Sequence, residues 1–171
     1  SATTPTSSNP AVSNISKNKQ KSRVDGSSAN SETLKAIEAI SESQLNVPYK
    51  TLANKTLAMD IYQPRTDINA DTTKGHPLAI WVHGGGWKRG DKADFPTRNP
   101  NVAKALLEEG YVLASINYRL SSEAQFPAPL EDSKDAVQFL LDNAKSYGID
   151  PNRMVIMGRS AGGHLATLTA T

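Results

Sequence analysis

Three short apolar runs constrain the fold of this chain most: residues 78–82 (Leu-Ala-Ile-Trp-Val), 111–116 and 154–157, each separated from the next by enough residues for a helix. An unbroken apolar run of this kind suits a strand covered on both faces, because a half-exposed strand alternates apolar with polar. The intervening segments have the other period. Residues 102–109 carry Val102, Ala103, Leu106 and Leu107 at helical spacing and stop at Gly110, and residues 130–147 place Ala136, Val137, Leu140 and Leu141 on one face between Pro127 and Pro129 at one end and Gly148 at the other. Strands alternating with helices of crossover length predict a parallel sheet with helices on both faces.

Residues 47–52 and 57–62 form two strands joined by the Ala53-Asn54-Lys55 turn, an antiparallel edge, and residues 32–40 form a short amphipathic helix. Residues 65–76 and 83–99 are polar or glycine-rich loops, and Asp150-Pro151-Asn152-Arg153 is a turn ahead of the last strand. Residues 1–31 contain hardly any large apolar side chain and cannot bury enough surface to offset ordering entropy, so they are expected to be a disordered polar arm, with residues 32–171 as the folded domain. Lys17, Lys19, Lys21 and Arg23 in that arm read as a solubilising linker. A secreted, periplasmic or lipid-anchored protein tethered by the arm is favoured over a cytoplasmic one.

Charge and composition narrow the function classes. The 171 residues hold 19 Lys plus Arg against 17 Asp plus Glu, a net charge of +2, which gives no bulk field for nucleic acid or a membrane surface. The chain has no cysteine, hence no disulfide, thiolate metal site or cysteine nucleophile. No apolar run approaches the roughly 20 residues of a membrane-spanning helix.

Two motifs carry chemistry. Gly158-Arg159-Ser160-Ala161-Gly162 fits G-x-S-x-G directly after an apolar strand and before a helix. So tight a turn strains the serine backbone and requires flanking residues without bulk, and the helix N-terminus behind the serine offers partial positive charge to a developing anion. Read blandly, the same string is a glycine-rich turn that packs a helix on a sheet. His83-Gly84-Gly85-Gly86-Trp87 follows the strand at 78–82, and successive glycines let backbone N–H groups converge on one point, as an oxyanion hole requires. A dinucleotide loop fits less well, since no G-x-G-x-x-G spacing is present and the loop does not open a helix.

The order of strand, His-Gly-Gly-Gly-Trp, helix, strand with Asn117-Tyr118-Arg119-Leu120, helix, strand and Gly-Arg-Ser-Ala-Gly-Gly-His resembles the α/β-hydrolase superfamily, in particular the hormone-sensitive-lipase-like and feruloyl-esterase-like bacterial carboxylesterases. The likeness covers roughly residues 47–171. It implies that Ser160 is the nucleophile, that the N–H groups of Gly85, Gly86 and Ala161 form the oxyanion hole, and that small to medium acyl or aryl esters are hydrolysed through an acyl-enzyme without metal or organic cofactor. The family completes its triad with an Asp or Glu and a His beyond the nucleophile helix, so both are expected beyond residue 171. The chain therefore reads as a hydrolase core cut short, completed by a second chain or a C-terminal segment, with the strand at 154–157 left as an open apolar edge. Related readings are an arylformamidase or other amide hydrolase of this fold, and a catalytically inactive hydrolase-like binding module.

Other polar residues receive structural expectations. His83, Gly158, Gly162 and His164 support the site, His83 by fixing the loop backbone and His164 by packing beneath the serine turn. Trp87 either lines the substrate pocket or packs. His76 and Asp91 and Asp94 are expected in solvated loops, Asp132 and Asp135 as surface partners of a helix N-terminus, Asp150 as a turn former and Arg119 as a tie between loops.

Overall fold

The computed structural model describes residues 26–65 and 74–171. The chain runs α1 (Gly26–Ile40), β1 (Ser41–Thr51), β2 (Thr56–Pro64), β3 (His76–Val82), α2 (Asp94–Arg98), α3 (Pro100–Glu108), β4 (Val112–Ile116), α4 (Ala128–Asp142), β5 (Ile149–Gly158) and α5 (Ala161–Ala170). The expected polar arm lies outside the described residues up to residue 25, and α1 begins at Gly26, before the apolar periodicity that marks it in sequence.

One sheet in the order β1-β2-β4-β3-β5 organises the molecule. β1 pairs antiparallel with β2 and β2 antiparallel with β4, while β3 lies parallel to both β4 and β5. The sheet is thus mixed, its antiparallel part being the edge that the short turn at 53–55 predicts; Leu52 N–H donates to the Lys55 carbonyl across that turn at 2.8 Å. Two cores explain the apolar runs of β3 and β4, while the run of β5 keeps Met154 and Val155 exposed. On one face Leu78, Ile80, Val82, Val112, Ala114 and Ile116 meet Ala136 and Leu140 of α4 and Leu165 and Ala166 of α5. On the other, Ala79 and Leu113 meet Ile37 of α1, Phe95 of α2 and Ala103 and Leu107 of α3. Strands covered on both sides leave no face for water, so alternation disappears from their sequence.

Several boundaries differ from the sequence reading for local reasons. β1 is longer than residues 47–52 because its polar, mostly exposed residues still pair with β2, through a register irregularity between Gln44 and Val47 where Asn46 takes φ 58°. α4 stops at Asp142 because Asn143 turns its side-chain amide back onto the Phe139 carbonyl at 2.8 Å, and only turns follow as far as Gly148. The turn at 150–153 survives inside β5: the pairing jumps from His76↔Ile149 to Leu78↔Met154, and Asp150 closes the excursion by accepting from Asn152 N–H at 3.0 Å and Arg153 Nε at 2.9 Å. The loop at 83–99 contains α2, whose Phe95 stacks on Trp81 with centroids 4.6 Å apart.

Candidate active site

The register of β3 against β5 sets Val82 opposite Gly158, so the two motif turns leave neighbouring parallel strands at the same carboxyl-end level. In open α/β sheets ligands bind outside the carboxyl ends of strands, and here a cavity of about 1300 Å³ opens there, with His83, Gly84, Gly85, Gly86, Arg159 and Ser160 in its lining. Trp87 is absent from that lining; its ring meets His164 edge-on, with centroids 5.8 Å apart.

Ser160 sits at φ 55° and ψ −123°, in the left-handed half of backbone space where a residue with a Cβ is strained. Its neighbours make the turn tight enough to hold it there. A Cβ on Gly162 would fall within 3.0 Å of the Val82 and His83 carbonyls, and one on Gly158 within 3.0 Å of the Gly162 backbone, so α5 starts in direct contact with the end of β3. Gly84 is equally confined: a Cβ there would stand 2.6 Å from the Arg159 carbonyl and 3.6 Å from Ser160 Cβ. The glycine loop and the serine turn therefore touch through backbone. The Ser160 side chain is exposed and its Oγ has no hydrogen-bond partner among the described residues. The N–H groups of Gly85, Gly86 and Ala161 likewise donate to no acceptor among the described residues, whereas Gly162 N–H and His164 N–H are taken by the carbonyls of Arg159 and Ser160.

A buried scaffold holds the loop. His83 is 2% exposed, stacks on Tyr118 at 4.4 Å, and donates from Nδ1 to the Gly84 carbonyl at 2.8 Å. Burial pushes the His83 pKa down, against the opposing pull of the Gly84 carbonyl and of Asp94 and Asp91, so the ring is neutral at pH 7. Tyr118 donates its hydroxyl to the His83 carbonyl at 2.6 Å, and burial pushes that phenol up to about 12, which keeps it a donor. Asn117 grips the far end of the loop, accepting from Lys92 N–H at 2.8 Å and donating to Asp91 Oδ1 at 3.0 Å. Lys92 then turns inward to Asp60 of β2 at 2.9 Å and to Asn46 Oδ1 at 2.7 Å.

The structure corrects expectations about Asp132, His76 and His164. Asp132 is fully buried, accepting from Arg119 N–H, Nε and Nη2, each at 2.9 Å, and from Lys50 Nζ at 2.8 Å. Burial raises its carboxyl pKa, but the hydrogen bonds from Arg119 and Lys50 outweigh this and hold it below the ordinary carboxylate range. It is a hub joining β1, the segment after β4 and α4, and it ties down Arg119 as expected of that residue. His76 is not in a solvated loop: it opens β3, half-buried, with Nδ1 donating to the Gly110 carbonyl at 2.8 Å, at the end of the strand opposite the cavity. His164 is exposed beside Trp87 rather than beneath the turn. Asp91 and Asp94 border the cavity, each engaged in the loop's own turn, Asp94 Oδ2 accepting Asp91 N–H at 3.0 Å and Asp91 Oδ2 accepting Ala93 N–H at 2.9 Å. The Lys92–Asp60 pair escaped the sequence reading, although a charged residue between Met59 and Ile61 in an apolar strand was a signal for a buried partner. No group of three or more His, Asp or Glu able to hold a metal occurs among the described residues, and none of their helices is long and apolar enough to cross a membrane.

The model of the BD-FAE family matches residues 59–171. The chain belongs to the BD-FAE family. Within curated proteins it is 32% identical over 115 residues to the ethyl acetate hydrolase of Pseudomonas putida, covering 67% of this chain and 34% of that protein. It is 38% identical over 125 residues to esterase LipQ of Mycobacterium tuberculosis, covering 73% of this chain and 28% of the relative. Among solved structures, an esterase from Thermogutta terrifontis superposes with a TM-score of 0.60 at 28% identity, over 74% of this chain and 42% of the other. The BD-FAE chain described here thus spans about a third or less of the curated relatives it matches, and its fold is that of the hormone-sensitive-lipase-like α/β-hydrolases.

Proposed function

We propose that the protein is a serine carboxylesterase hydrolysing small to medium acyl or aryl esters, with Ser160 as nucleophile and the N–H groups of Gly85, Gly86 and Ala161 as the oxyanion hole. One observation supports this above the others: the strained turn that presents Ser160 and the loop that leaves glycine N–H groups unpaired abut through the Gly84–Arg159 contact and face one cavity. A serine turn that merely packed a helix would need no donor loop against it. The esterase names of the relatives support the same class.

In the proposed reaction Ser160 Oγ forms a bond to the ester carbonyl carbon while its proton passes to a general base. The carbonyl oxygen becomes an oxyanion stabilised by backbone donors and the positive end of α5. The alcohol leaves as the C–O bond breaks and takes that proton; water then cleaves the acyl-serine, releasing the acid and restoring the hydroxyl. The base and its carboxylate partner are assigned beyond residue 171. His83 is buried with its Nδ1 proton committed to Gly84, His76 stands at the opposite strand end, and His164 packs on Trp87.

Hydrolysis of short and medium 4-nitrophenyl esters tests the reading, using the 171-residue chain, a form extended to the length of its relatives, and Ser160→Ala in each. Expected is activity in the extended form that Ser160→Ala abolishes, with the 171-residue chain retaining only the weak catalysis of an oxyanion hole without its base, on the order of a thousandfold above water. Enzyme-like turnover by the 171-residue chain alone would return the base to His164 or His83. A folded extended form that neither turns over esters nor labels at Ser160 with a serine-reactive phosphonate would identify a binding module instead; turnover confined to anilides would identify an amide hydrolase.

A further inference from the structure

The cavity that holds Ser160 is charged in one sense. Its lining includes four cations, Lys88, Arg89, Arg98 and Arg159, against two carboxylates, Asp91 and Asp94. That excess equals the net charge of +2 carried by the entire chain. The carboxylates are also spent locally: Asp91 accepts from Ala93 N–H and Asn117 Nδ2, and Asp94 accepts Asp91 N–H and stands 3.9 Å from Arg98 Nε. By contrast the side chains of Lys88, Arg89 and Arg159 make no hydrogen bond or ion pair among the described residues. Arg159 adjoins Ser160, while Lys88 and Arg89 close the glycine loop by donating their N–H groups to the Gly85 carbonyl at 3.2 Å. Three uncommitted cations from the two motif turns therefore line the cavity that holds the reacting serine. Unpaired N–H groups and the α5 N-terminus add partial positive charge in the same place, and a concave wall concentrates such a field.

We infer that the preferred substrates are esters bearing a carboxylate, held by Arg159 from the serine turn and by Lys88 and Arg89 from the glycine loop. This inference rests on the proposed esterase function and adds the chemical class of the substrate. A neutral ester gains nothing from three solvent-exposed cations, whereas a carboxylate in the acyl or the alcohol half engages them in charge-assisted hydrogen bonds. Arginine suits this task, since its planar fork meets a carboxylate through two parallel N–H donors.

Matched ester pairs measure the preference in the extended form of the protein. The mono-4-nitrophenyl ester of adipic acid is compared with 4-nitrophenyl hexanoate, placing the charge in the acid half, and 4-acetoxybenzoate with its methyl ester, placing it in the alcohol half. The expected result is a kcat/KM roughly tenfold higher for the charged member of at least one pair, the value of one charge-assisted contact in a solvated site. That ratio should fall toward unity in high salt and in Arg159→Gln combined with Lys88→Gln. The half that shows the preference tells which side of the scissile bond faces the cations. Equal or lower kcat/KM for both charged members, with the neutral esters turned over normally, overturns the inference and leaves the esterase reading intact. A ratio that survives both salt and the double substitution overturns the assignment of these residues. Failure of every ester removes the esterase reading and this inference with it.

Discussion

At the scale of single residues, the site depends on atoms that are missing as much as on those present. Gly162 has no Cβ because the carbonyls of Val82 and His83 occupy the space where one would stand. Gly162→Ala must therefore push α5 away from β3, an overpacking that should destabilise the protein by about 1–3 kcal/mol, read as a lower urea midpoint. Because the push falls between Ser160 and the glycine loop, ester hydrolysis should fall further than stability alone explains, as a loss in kcat with KM little changed. Asp132 shows the opposite dependence, on an atom that is present. Its buried carboxylate is the main partner of Arg119 and one of two for Lys50, which also pairs with Asp135 at 2.7 Å, so Asp132→Ala breaks a partly buried network and should cost about 3 kcal/mol in denaturant unfolding. A loss under 1 kcal/mol would mean that the hub is a surface pair after all.

At the scale of elements, what matters is how the glycine loop is tied to strands it does not belong to. Lys92 anchors the loop by reaching Asp60 of β2, with the two side chains 10% and 4% exposed. Lys92→Ala strands a buried carboxylate and should lower the urea midpoint strongly, by about 3–5 kcal/mol of stability, while Lys92→Met combined with Asp60→Asn removes both charges and should recover much of the loss. No recovery in the double variant would show that the pair acts through Asn46 and the loop backbone rather than as a pair. β5 is an edge strand of the sheet. It pairs only with β3 among the described residues, and Met154 and Val155 stay exposed along it, so it presents the unpaired apolar edge that favours self-association. Val155→Lys should reduce the light scattering and sedimentation heterogeneity of the 171-residue chain without lowering its unfolding midpoint.

At the scale of the whole molecule, stability should depend on pH in two windows. His83 is held neutral by burial, so its folded pKa lies below its unfolded value near 6.5. Its contribution is complete above about pH 6.5 and declines as pH falls below that, where the unfolded chain takes up the proton more readily. Asp132 and Asp91 have folded pKa values depressed by their hydrogen bonds despite the opposing effect of burial. Their contribution is present above the ordinary carboxylate range near 4 and is lost as pH falls through their lower folded values. Urea midpoints measured from about pH 8 to pH 3 should therefore show a shallow decline first and a steep one below about pH 4. A midpoint that is flat between about pH 6.5 and 5 would contradict the neutral, buried His83.

The chain's own order of residues was enough for the sheet-and-helix architecture, the antiparallel edge and the two chemical turns. Each of these rests on local physics: runs that suit strands covered on both faces, a 3.6-residue period, and glycines where the backbone must turn sharply or approach closely. The class of the fold followed from how those elements alternate, and the family match agrees with it. Tertiary structure alone decided which polar residues are structural. Asp132 stands in a helix's first turns, where sequence reads it as a surface partner of the dipole; only the packing of β1 and of the segment after β4 against α4 brings Lys50 and Arg119 to it. Likewise His76, which reads as a solvated loop residue, becomes the start of a strand because β3 begins beside Gly110, 34 positions away. The same holds for Lys88, Arg89 and Arg159, which line the cavity that holds Ser160. Their cationic type is plain in the sequence, but the register that sets Val82 opposite Gly158 brings the two turns to one cavity, and strand register is settled by side chains packing on both faces of the sheet at once.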